Sequence, residues 1–256
     1  MSKIGEQLQR LHKPSGPIGF GFARTAPARP RMLILVTIDG SLPEATAGAM
    51  AECADAIASD PEAVALREAL ARLQSAKPLG VRVQPAAKAE DIEGHACDFV
   101  MCDFDSPSEL VSLKDKGTLL HLMADLEPMR LRAIGELGVE AVILPGTGLD
   151  LKRLAAVIEC RRVRSACGRP VLLQIDHVIE PAIMVALWHA GVDGLMVDSA
   201  LGLDNLKALR EAVDGAPFEA RPTNGGTVAI GTRLGGGPAA EAEEGGDDDD
   251  DEEDDE

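Results

Sequence analysis

Short hydrophobic runs alternate with amphipathic segments between residues 32 and 214. Four of the runs are rich in Leu, Val and Ile, which is typical of strands buried on both faces of a parallel sheet. These runs are 32–38, 81–84, 119–123 and 171–175. Helical spacing is found in 43–52, 61–76, 108–114, 128–137, 149–167, 181–190 and 204–213, and most weakly in 88–94. The pattern predicts strands and helices in alternation.

A second feature is a repeated junction, in which a helix end leads through a small residue and an acid into a further hydrophobic strand. The acids of the four junctions are Asp55, Asp98, Glu140 and Asp193, and they lie 43, 42 and 53 residues apart. Each interval has room for about two β/α units. Together with the four runs, the junctions therefore predict eight strands.

Eight strands with crossover helices close most simply into an α/β barrel of the (β/α)8 type. An open, doubly wound sheet is the alternative. We place the barrel at residues 32–214, after an N-terminal arm at 1–31 and before a linker and acidic tail at 215–256. Within the arm, Ile4, Leu8 and Leu11 sit at helical spacing and could cover one end of the barrel or a partner.

Charge is distributed unevenly along the chain, whose formal net charge is −18. The arm is basic, whereas residues 241–256 hold thirteen acids and no base. We expect the tail to be disordered, and it could keep the protein soluble, contact the arm or bind basic partners. The moderately acidic barrel would repel phosphate backbones, so we expect no binding to nucleic acid.

The five cysteines form no C-x-x-C pair, which is typical of reduced core residues. No stretch is long and apolar enough to cross a membrane, and the first residues do not resemble a secretion signal. We therefore expect a cytoplasmic protein without a membrane partner. The sequence leaves a homo-oligomer open.

Acidic residues follow most of the predicted strands, so the mouth of the barrel would carry a ring of carboxylates. Asp103, Asp125 and Asp176 are the candidates for a site that holds Mg²⁺, because hard divalent ions prefer oxygen ligands. The alternative is that each carboxylate caps the helix that follows it by accepting backbone N–H groups.

His177 and Asp176, at the end of the seventh strand, are the candidate catalytic residues, because a histidine there can transfer protons near neutral pH. A hydrogen-bonded loop histidine is the alternative. We assign His95, His121 and His189 structural roles. No lysine lies at a strand end, which disfavours Schiff-base chemistry.

Residues 169–176 and 190–201 resemble the seventh and eighth units of phosphate-binding and FMN-binding TIM barrels. The resemblance covers about 35 residues and implies an anion site built from glycine-rich loops. This chain instead has Asp176-His177 and Asp198-Ser199 where those families place Gly-Gly and Gly-Ser, and carboxylates there repel phosphate unless a cation intervenes.

Replacement donors for a cofactor are Gly146, Thr147, Gly148 and Ser199, although the first three could equally form a tight turn. FMN is a weaker candidate than Mg²⁺, because the sequence shows no obvious aromatic or basic residues to hold a flavin. We therefore expect a lyase or isomerase that acts on a small carboxylated or phosphorylated metabolite with a divalent metal. The alternative is a non-catalytic barrel that serves as a binding or scaffold protein through its charged tails.

Overall fold

A computed structural model describes residues 2–12, 32–73, 76–85, 87–113 and 115–218 of the chain. Eight parallel strands form a closed barrel, in which each strand pairs with the next and the eighth pairs with the first. The strands are β1 (Leu33–Ile38), β2 (Ala56–Ser59), β3 (Leu79–Arg82), β4 (Phe99–Cys102), β5 (Gly117–His121), β6 (Ala141–Pro145), β7 (Val171–Ile175) and β8 (Val192–Asp198). Closure confirms the predicted TIM-barrel fold, and the open sheet is wrong.

Helices surround the strands in the predicted order. They are α1 (Lys3–His12), α2 (Glu44–Cys53), α3 (Val64–Leu73), α4 (Ala89–Glu93), α5 (Pro128–Glu136), α6 (Leu154–Cys167), α7 (Pro181–Ala190) and α8 (Leu203–Gly215). Two short 3₁₀ helices, Ser108–Ser112 and Ser199–Leu201, follow β4 and β8. The first of them occupies the segment predicted as the helix 108–114.

The predicted start of the sixth helix, residue 149, is wrong, because α6 begins at Leu154. The Asp150 carboxylate accepts the backbone N–H of Lys152 at 3.2 Å and pairs with Arg153 at 2.9 Å. A carboxylate that binds the backbone two residues ahead stabilises a turn at the expense of helix. Residues 150–153 therefore form a turn that leads into the helix.

The core has an inner layer, which fills the barrel, and an outer layer, which lies between the strands and the helices. Alternation along each strand assigns residues to the two layers, since successive side chains point to opposite faces. In β4, for example, Phe99 and Met101 belong to the inner layer, whereas Val100 and Cys102 belong to the outer one. Gly80 of β3 makes room for the ring of Phe99, which any Cβ at position 80 would overlap.

Helix α1 covers the N-terminal end of the barrel. Ile4 and Leu8 are almost fully buried against the inner layer, which confirms one of the two predicted roles of their spacing. The Asp98 carboxylate, just before β4, accepts the N–H groups of Lys3 at 2.7 Å and Ile4 at 3.0 Å. Glu140, just before β6, accepts the N–H of Ser2 at 3.1 Å. Two strand ends thus supply the acceptors that the first turn of a helix needs.

At the other terminus, the packed structure continues past the predicted barrel boundary at 214. Helix α8 runs to Gly215, and the ring of Phe218 lies 5.4 Å from the ring of Trp188 on α7. The rest of the predicted tail, 219–256, and most of the predicted arm, 13–31, lie outside the described residues. No helix in the described segments is long and apolar enough to span a membrane.

Candidate functional site

A pocket of about 280 Å³ opens at the C-terminal end of the barrel, between the ends of β3, β4 and β5. Its polar lining comes from Arg82, Asp103, Asp105 and His121. The rest of the lining is Val83, Met101, Cys102, Phe104, Leu122 and Met123. Since this end is where characterised TIM-barrel enzymes place their active sites, the pocket is the candidate functional site.

Arg82 is the cation of this pocket. It follows Gly80 on the inner face of β3, and the neighbouring Val81 and Val83 are buried in the outer layer. Its side chain is exposed, and it forms no hydrogen bond or ion pair with another described residue. A guanidinium carries five N–H donors in a fork that fits carboxylate and phosphate groups. Because no described carboxylate pairs with it, the guanidinium of Arg82 is a candidate for binding an anionic ligand.

His121 lies on the same side of β5 as the inner-layer residue Leu119 and lines the pocket. Burial lowers the pKa of its imidazole to about 4, and the charge of Arg82 acts in the same direction, whereas Asp103 opposes the shift. The ring is therefore neutral near pH 7 and offers one hydrogen-bond donor and one acceptor. The structural role that we assigned to this histidine does not account for its place in the pocket.

Asp60 lies directly beyond β2, beside Arg82, since the preceding residues Ser59 and Val81 are paired in register. Burial raises the pKa of its carboxyl, and the nearby charges of Asp39, Glu62 and Asp198 add to the rise, while Arg82 opposes it. Within the part of the chain that the structure describes, no group donates a hydrogen bond to this carboxylate. A raised pKa and free oxygens are the properties of a general acid or base.

Arg67 of α3, which is only 5% exposed, contacts the loop that carries Asp60. Its guanidinium donates to the carbonyl oxygen of Asp60 at 3.1 Å, and it lies 3.0 Å from Nδ1 of His95. Burial lowers the pKa of Arg67. The contacts hold the backbone of Asp60 and do not involve its carboxylate.

The three candidate metal ligands are not brought together. Asp103 accepts the N–H of Asp105 and the hydroxyl of Ser106, at 3.1 and 3.0 Å, in a local turn. Asp125 has a left-handed backbone, with φ of 58°, in the loop after β5. Among the described residues, no three His, Cys, Asp or Glu side chains form a group that could hold a metal ion. The contacts of Asp103 stabilise its own turn, a role close to the predicted alternative in which the carboxylate accepts backbone N–H groups.

The two candidate catalytic residues, Asp176 and His177, are in contact with each other. Nδ1 of His177 lies 2.6 Å from the Asp176 carboxylate, and this hydrogen bond lowers the pKa of Asp176. The side chains are 62% and 73% exposed and do not line the pocket between β3, β4 and β5. A catalytic role for the pair stays a prediction.

The candidate cofactor donors are largely used within the fold. Gly146 donates its N–H to the carbonyl oxygen of Gln174 on β7 at 3.0 Å, and Gly148, with φ of 88°, allows the turn that follows. The Ser199 hydroxyl accepts the N–H of Asp39 at 3.3 Å, whereas Thr147 is exposed. These contacts favour the tight-turn alternative over an anion site. Binding of a cofactor here stays a prediction.

Neither Arg82 nor Asp60 is among the site residues predicted from the sequence, and His121 is predicted there to be structural. Treating 81–84, Val-Arg-Val-Gln, as a strand buried on both faces overlooks its alternation of apolar and polar residues, which indicates one polar face. In β3, this alternation predicts that the Arg82 side chain lies on the inner face of the barrel, near its C-terminal end. Asp60 belongs to the predicted ring of carboxylates, but nothing in the sequence distinguishes it from the others, since its lack of hydrogen bonds from the described residues depends on contacts that sequence spacing does not show.

Comparisons with known proteins bear on the fold. No family model and no curated protein sequence matches this chain. The solved structure of the tryptophan synthase A-subunit from the hyperthermophile Pyrococcus furiosus has a TM-score of 0.56 and 18% identity, over 72% of this chain and 96% of that one. Thiamine phosphate pyrophosphorylase from Pyrococcus furiosus has a TM-score of 0.55 and 15% identity, over 72% and 97%. Likeness at such identity shows shared architecture, and the chain is a TIM barrel.

Proposed function

We propose that this barrel is an enzyme of the isomerase or lyase type, which binds a small anionic metabolite in the pocket between β3, β4 and β5. The observation that carries the proposal is the guanidinium of Arg82, which has no hydrogen-bond or ion-pair partner among the described residues and lines the pocket together with a neutral His121. Asp60, a carboxyl of raised pKa, lies near Arg82 just outside the pocket lining. Groups whose environments separate their pKa values are a frequent basis of acid–base catalysis. The TIM-barrel likeness to two enzymes supports the proposal through the fold alone.

The three side chains have complementary roles in this proposal. Arg82 binds the anion and places it against the pocket wall. Asp60, as the carboxylate, takes a proton from a carbon next to a carbonyl or carboxyl group, and the electron pair moves onto that oxygen. Arg82 and His121 stabilise the oxygen as its charge grows. An isomerase then returns the proton from Asp60 to a different carbon, and a lyase uses the electron pair to expel a leaving group.

Deuterium incorporation tests the proton-transfer step. We expect the full-length protein, incubated in D₂O with a panel of small carboxylated and phosphorylated metabolites, to exchange a carbon-bound proton of at least one compound, measured by ¹H NMR. Asp60→Asn should lose this exchange. The control Glu211→Gln, on the exposed side of α8, should keep it. Absence of exchange with the whole panel, or unchanged exchange in Asp60→Asn, would contradict the proposal.

Mg²⁺ remains a separate proposal, and no step above depends on it. Asp103, Asp125 and Asp176 do not fit a shared metal ion in their present arrangement, since no such group is found among the described residues. Isothermal titration with MgCl₂ tests the proposal. Stoichiometric binding that is lost in Asp103→Asn would support it, and the same weak heat in both proteins would sink it.

A second candidate function, a non-catalytic binding barrel, is favoured by one observation. Met129 on α5 is 82% exposed, and Leu154 and Ile158 on the neighbouring α6 are 71% and 59% exposed. Exposed apolar groups on adjacent helices are typical of interaction surfaces. Light scattering during size-exclusion chromatography tests self-association through this face. A dimer that becomes monomeric in Ile158→Glu would support a binding role, whereas a wild-type monomer would remove this argument.

A further inference from the structure

The pocket between β3, β4 and β5 lies across the barrel from the loops after β7 and β8. In a closed eight-stranded barrel, β4 and β8 are on opposite sides. The resemblance to phosphate-binding barrels implies an anion site in the loops after β7 and β8. Arg82, which has no partner among the described residues, lies instead on β3, on a side of the barrel for which that resemblance implies no ligand. The chemistry of the pocket itself narrows the kind of anion that fits.

Charge balance is the first constraint. The lining supplies one cation, Arg82, and two carboxylates, Asp103 and Asp105, and Asp60 lies beside it. A phosphate monoester near neutral pH carries close to two negative charges, against a single guanidinium and three nearby carboxylates. A carboxylate carries one charge and matches the two parallel N–H donors of a guanidinium. Charge and geometry both favour the carboxylate.

The backbone around the pocket gives the second constraint. Phosphate sites use successive N–H groups of glycine-rich turns or the first turn of a helix. No glycine occurs in the segments that follow the three strands, 83–87, 103–107 and 122–127. After β4, the N–H groups of Asp103 and Asp105 are donated to Ser106 and Asp103, respectively. This wall therefore lacks the backbone cradle that a phosphate group requires.

Size and polarity give the third constraint. The volume of about 280 Å³ lies at the small end of ligand pockets, which span about 300–1,000 Å³. Met101, Phe104 and Met123 supply apolar surface to its wall. His121, neutral near pH 7 and without a hydrogen-bond partner among the described residues, provides one donor and one acceptor. The pocket therefore suits a short carbon skeleton with a second, uncharged polar group.

We propose that the pocket binds a small monocarboxylate that also bears a hydroxyl or keto oxygen. Arg82 holds the carboxylate through its fork of N–H groups, and His121 hydrogen-bonds to the neutral oxygen. This proposal shares its pocket with the proposed function, but it does not depend on the proposed proton transfer.

Binding to the full-length protein tests this proposal without any need for turnover. The probes are lactate, its uncharged analogue lactamide and inorganic phosphate, each titrated by calorimetry and by thermal shift. We expect lactate to bind and to raise the melting temperature, because a ligand selective for the folded state stabilises it. Lactamide should bind at least about tenfold more weakly, since it cannot form a charge-assisted pair. Phosphate should give no comparable shift.

Three variants locate the binding. Arg82→Gln should weaken lactate binding by about tenfold or more, and Arg82→Lys should weaken it less, because a lysine keeps the charge and loses the fork. His121→Phe should weaken binding of lactate without affecting that of acetate, which has no neutral oxygen besides its carboxylate. The control Arg132→Gln, exposed on α5, should bind like the wild type.

Several results would overturn the proposal. They are the absence of lactate binding, equal binding of lactate by wild type and Arg82→Gln, and tighter binding of phosphate than of lactate through Arg82. Failure of the proposed function has a different signature. If lactate binds through Arg82 but no metabolite exchanges a proton in D₂O, the carboxylate site stands and the proton-transfer proposal falls.

Discussion

Carboxylates at the barrel mouth differ in how far their oxygen atoms are already used. Asp198 accepts the hydroxyl of Thr37 at 3.1 Å and the N–H of Ala200 at 2.8 Å, and Asp103 stabilises its own turn. Asp60 accepts no hydrogen bond from any described residue, although burial and three neighbouring acids disfavour its charge. A group kept in an unfavourable state is expected where function, rather than stability, determines the residue.

Asp60→Asn should therefore stabilise the protein at neutral pH. Because the folded-state pKa of Asp60 lies above its ordinary value of 3.8, the folded state binds the proton more tightly than the unfolded state does. The contribution of this group to stability is thus present at pH values below 3.8 and is lost as pH rises through the folded-state pKa. Thermal melts from pH 3 to pH 8 should show a gain in Asp60→Asn at pH 7 that shrinks toward pH 3. A variant less stable than wild type at pH 7 would refute this account.

Gly80→Ala should destabilise the barrel interior. The added Cβ would overlap the ring of the fully buried Phe99, and overpacking of a core costs about 1–3 kcal/mol. Urea denaturation measures the loss, and the additional change Phe99→Leu should restore part of it. The matched control is Gly215→Ala at the end of α8, where nothing lies within 4 Å of the new Cβ, so it should be neutral. Equal stability of Gly80→Ala and wild type would contradict this packing.

At the scale of elements, α1 is held by groups that belong to other parts of the chain. Its first turn is bound by Asp98 and Glu140, and its apolar side, Ile4 and Leu8, completes the inner layer. A helix of ten residues has little stability by itself in water. Its stability must therefore come from docking at the N-terminal end of the barrel.

Asp98→Ala should loosen this helix more than the barrel. The change removes the acceptor of two N–H groups, and a lost cap of this kind costs about 0.5–2 kcal/mol. Hydrogen exchange followed by mass spectrometry should show faster exchange in residues 3–12 and little change in β5 to β8. The control Glu211→Ala, exposed on α8, should leave α1 protected. Uniformly faster exchange across the whole barrel would mean that α1 and the strands unfold as one unit.

At the scale of the whole molecule, the four junction acids divide into two pairs. Asp55 accepts the N–H of Ile34 on β1 at 2.8 Å, and Asp193 accepts the N–H of Val171 on β7 at 2.9 Å, so each ties its strand to the preceding one. Asp98 and Glu140 hold α1 instead. The repeated sequence motif thus stabilises the N-terminal end of the barrel, whereas the pocket proposed as the functional site lies at the opposite end.

Asp193→Ala should cause the largest loss of stability of the changes considered. The Asp193 side chain is fully buried and lies 3.3 Å from the guanidinium of Arg164, and removal of one member of a buried pair costs about 3–5 kcal/mol. The denaturation midpoint in urea should fall accordingly, and Arg164→Met should recover part of the loss. As a matched control, Asp214→Ala removes a carboxylate that is 60% exposed and leaves its partner Arg210 paired with Asp55, so it should cost at most about 1 kcal/mol. A loss similar to that of the control would show that the buried pair contributes little.

Elements whose two ends carry strong local signals were predicted with their observed bounds. The predicted segments 171–175 and 181–190 coincide with β7 and α7. Proline opens α7, and Gly191, with φ of 103°, ends it in a conformation that other residues rarely adopt. Where the decisive contact came from a side chain, as Asp150 does before α6, the predicted boundary was wrong.

The candidate site could be predicted less well than the elements, because its residues come from different β/α units. Arg82, Asp103 and His121 lie on three successive strands, and the pocket arises only when these strand ends stand side by side. Residue type alone could not distinguish the occupied carboxylate of Asp198 from the free one of Asp60. That difference depends on Thr37 and Ala200, which the fold brings to one of them and not to the other.

The number and order of the strands, and hence the barrel, follow from the sequence, because the burial of apolar faces imposes a period that can be read locally. The tertiary structure alone decided the strand register, the docking of α1 and which polar groups at the mouth remain free. It also set the pKa of His121 and Asp60. These properties depend on desolvation and on charges across neighbouring strands, which act through space and not along the chain.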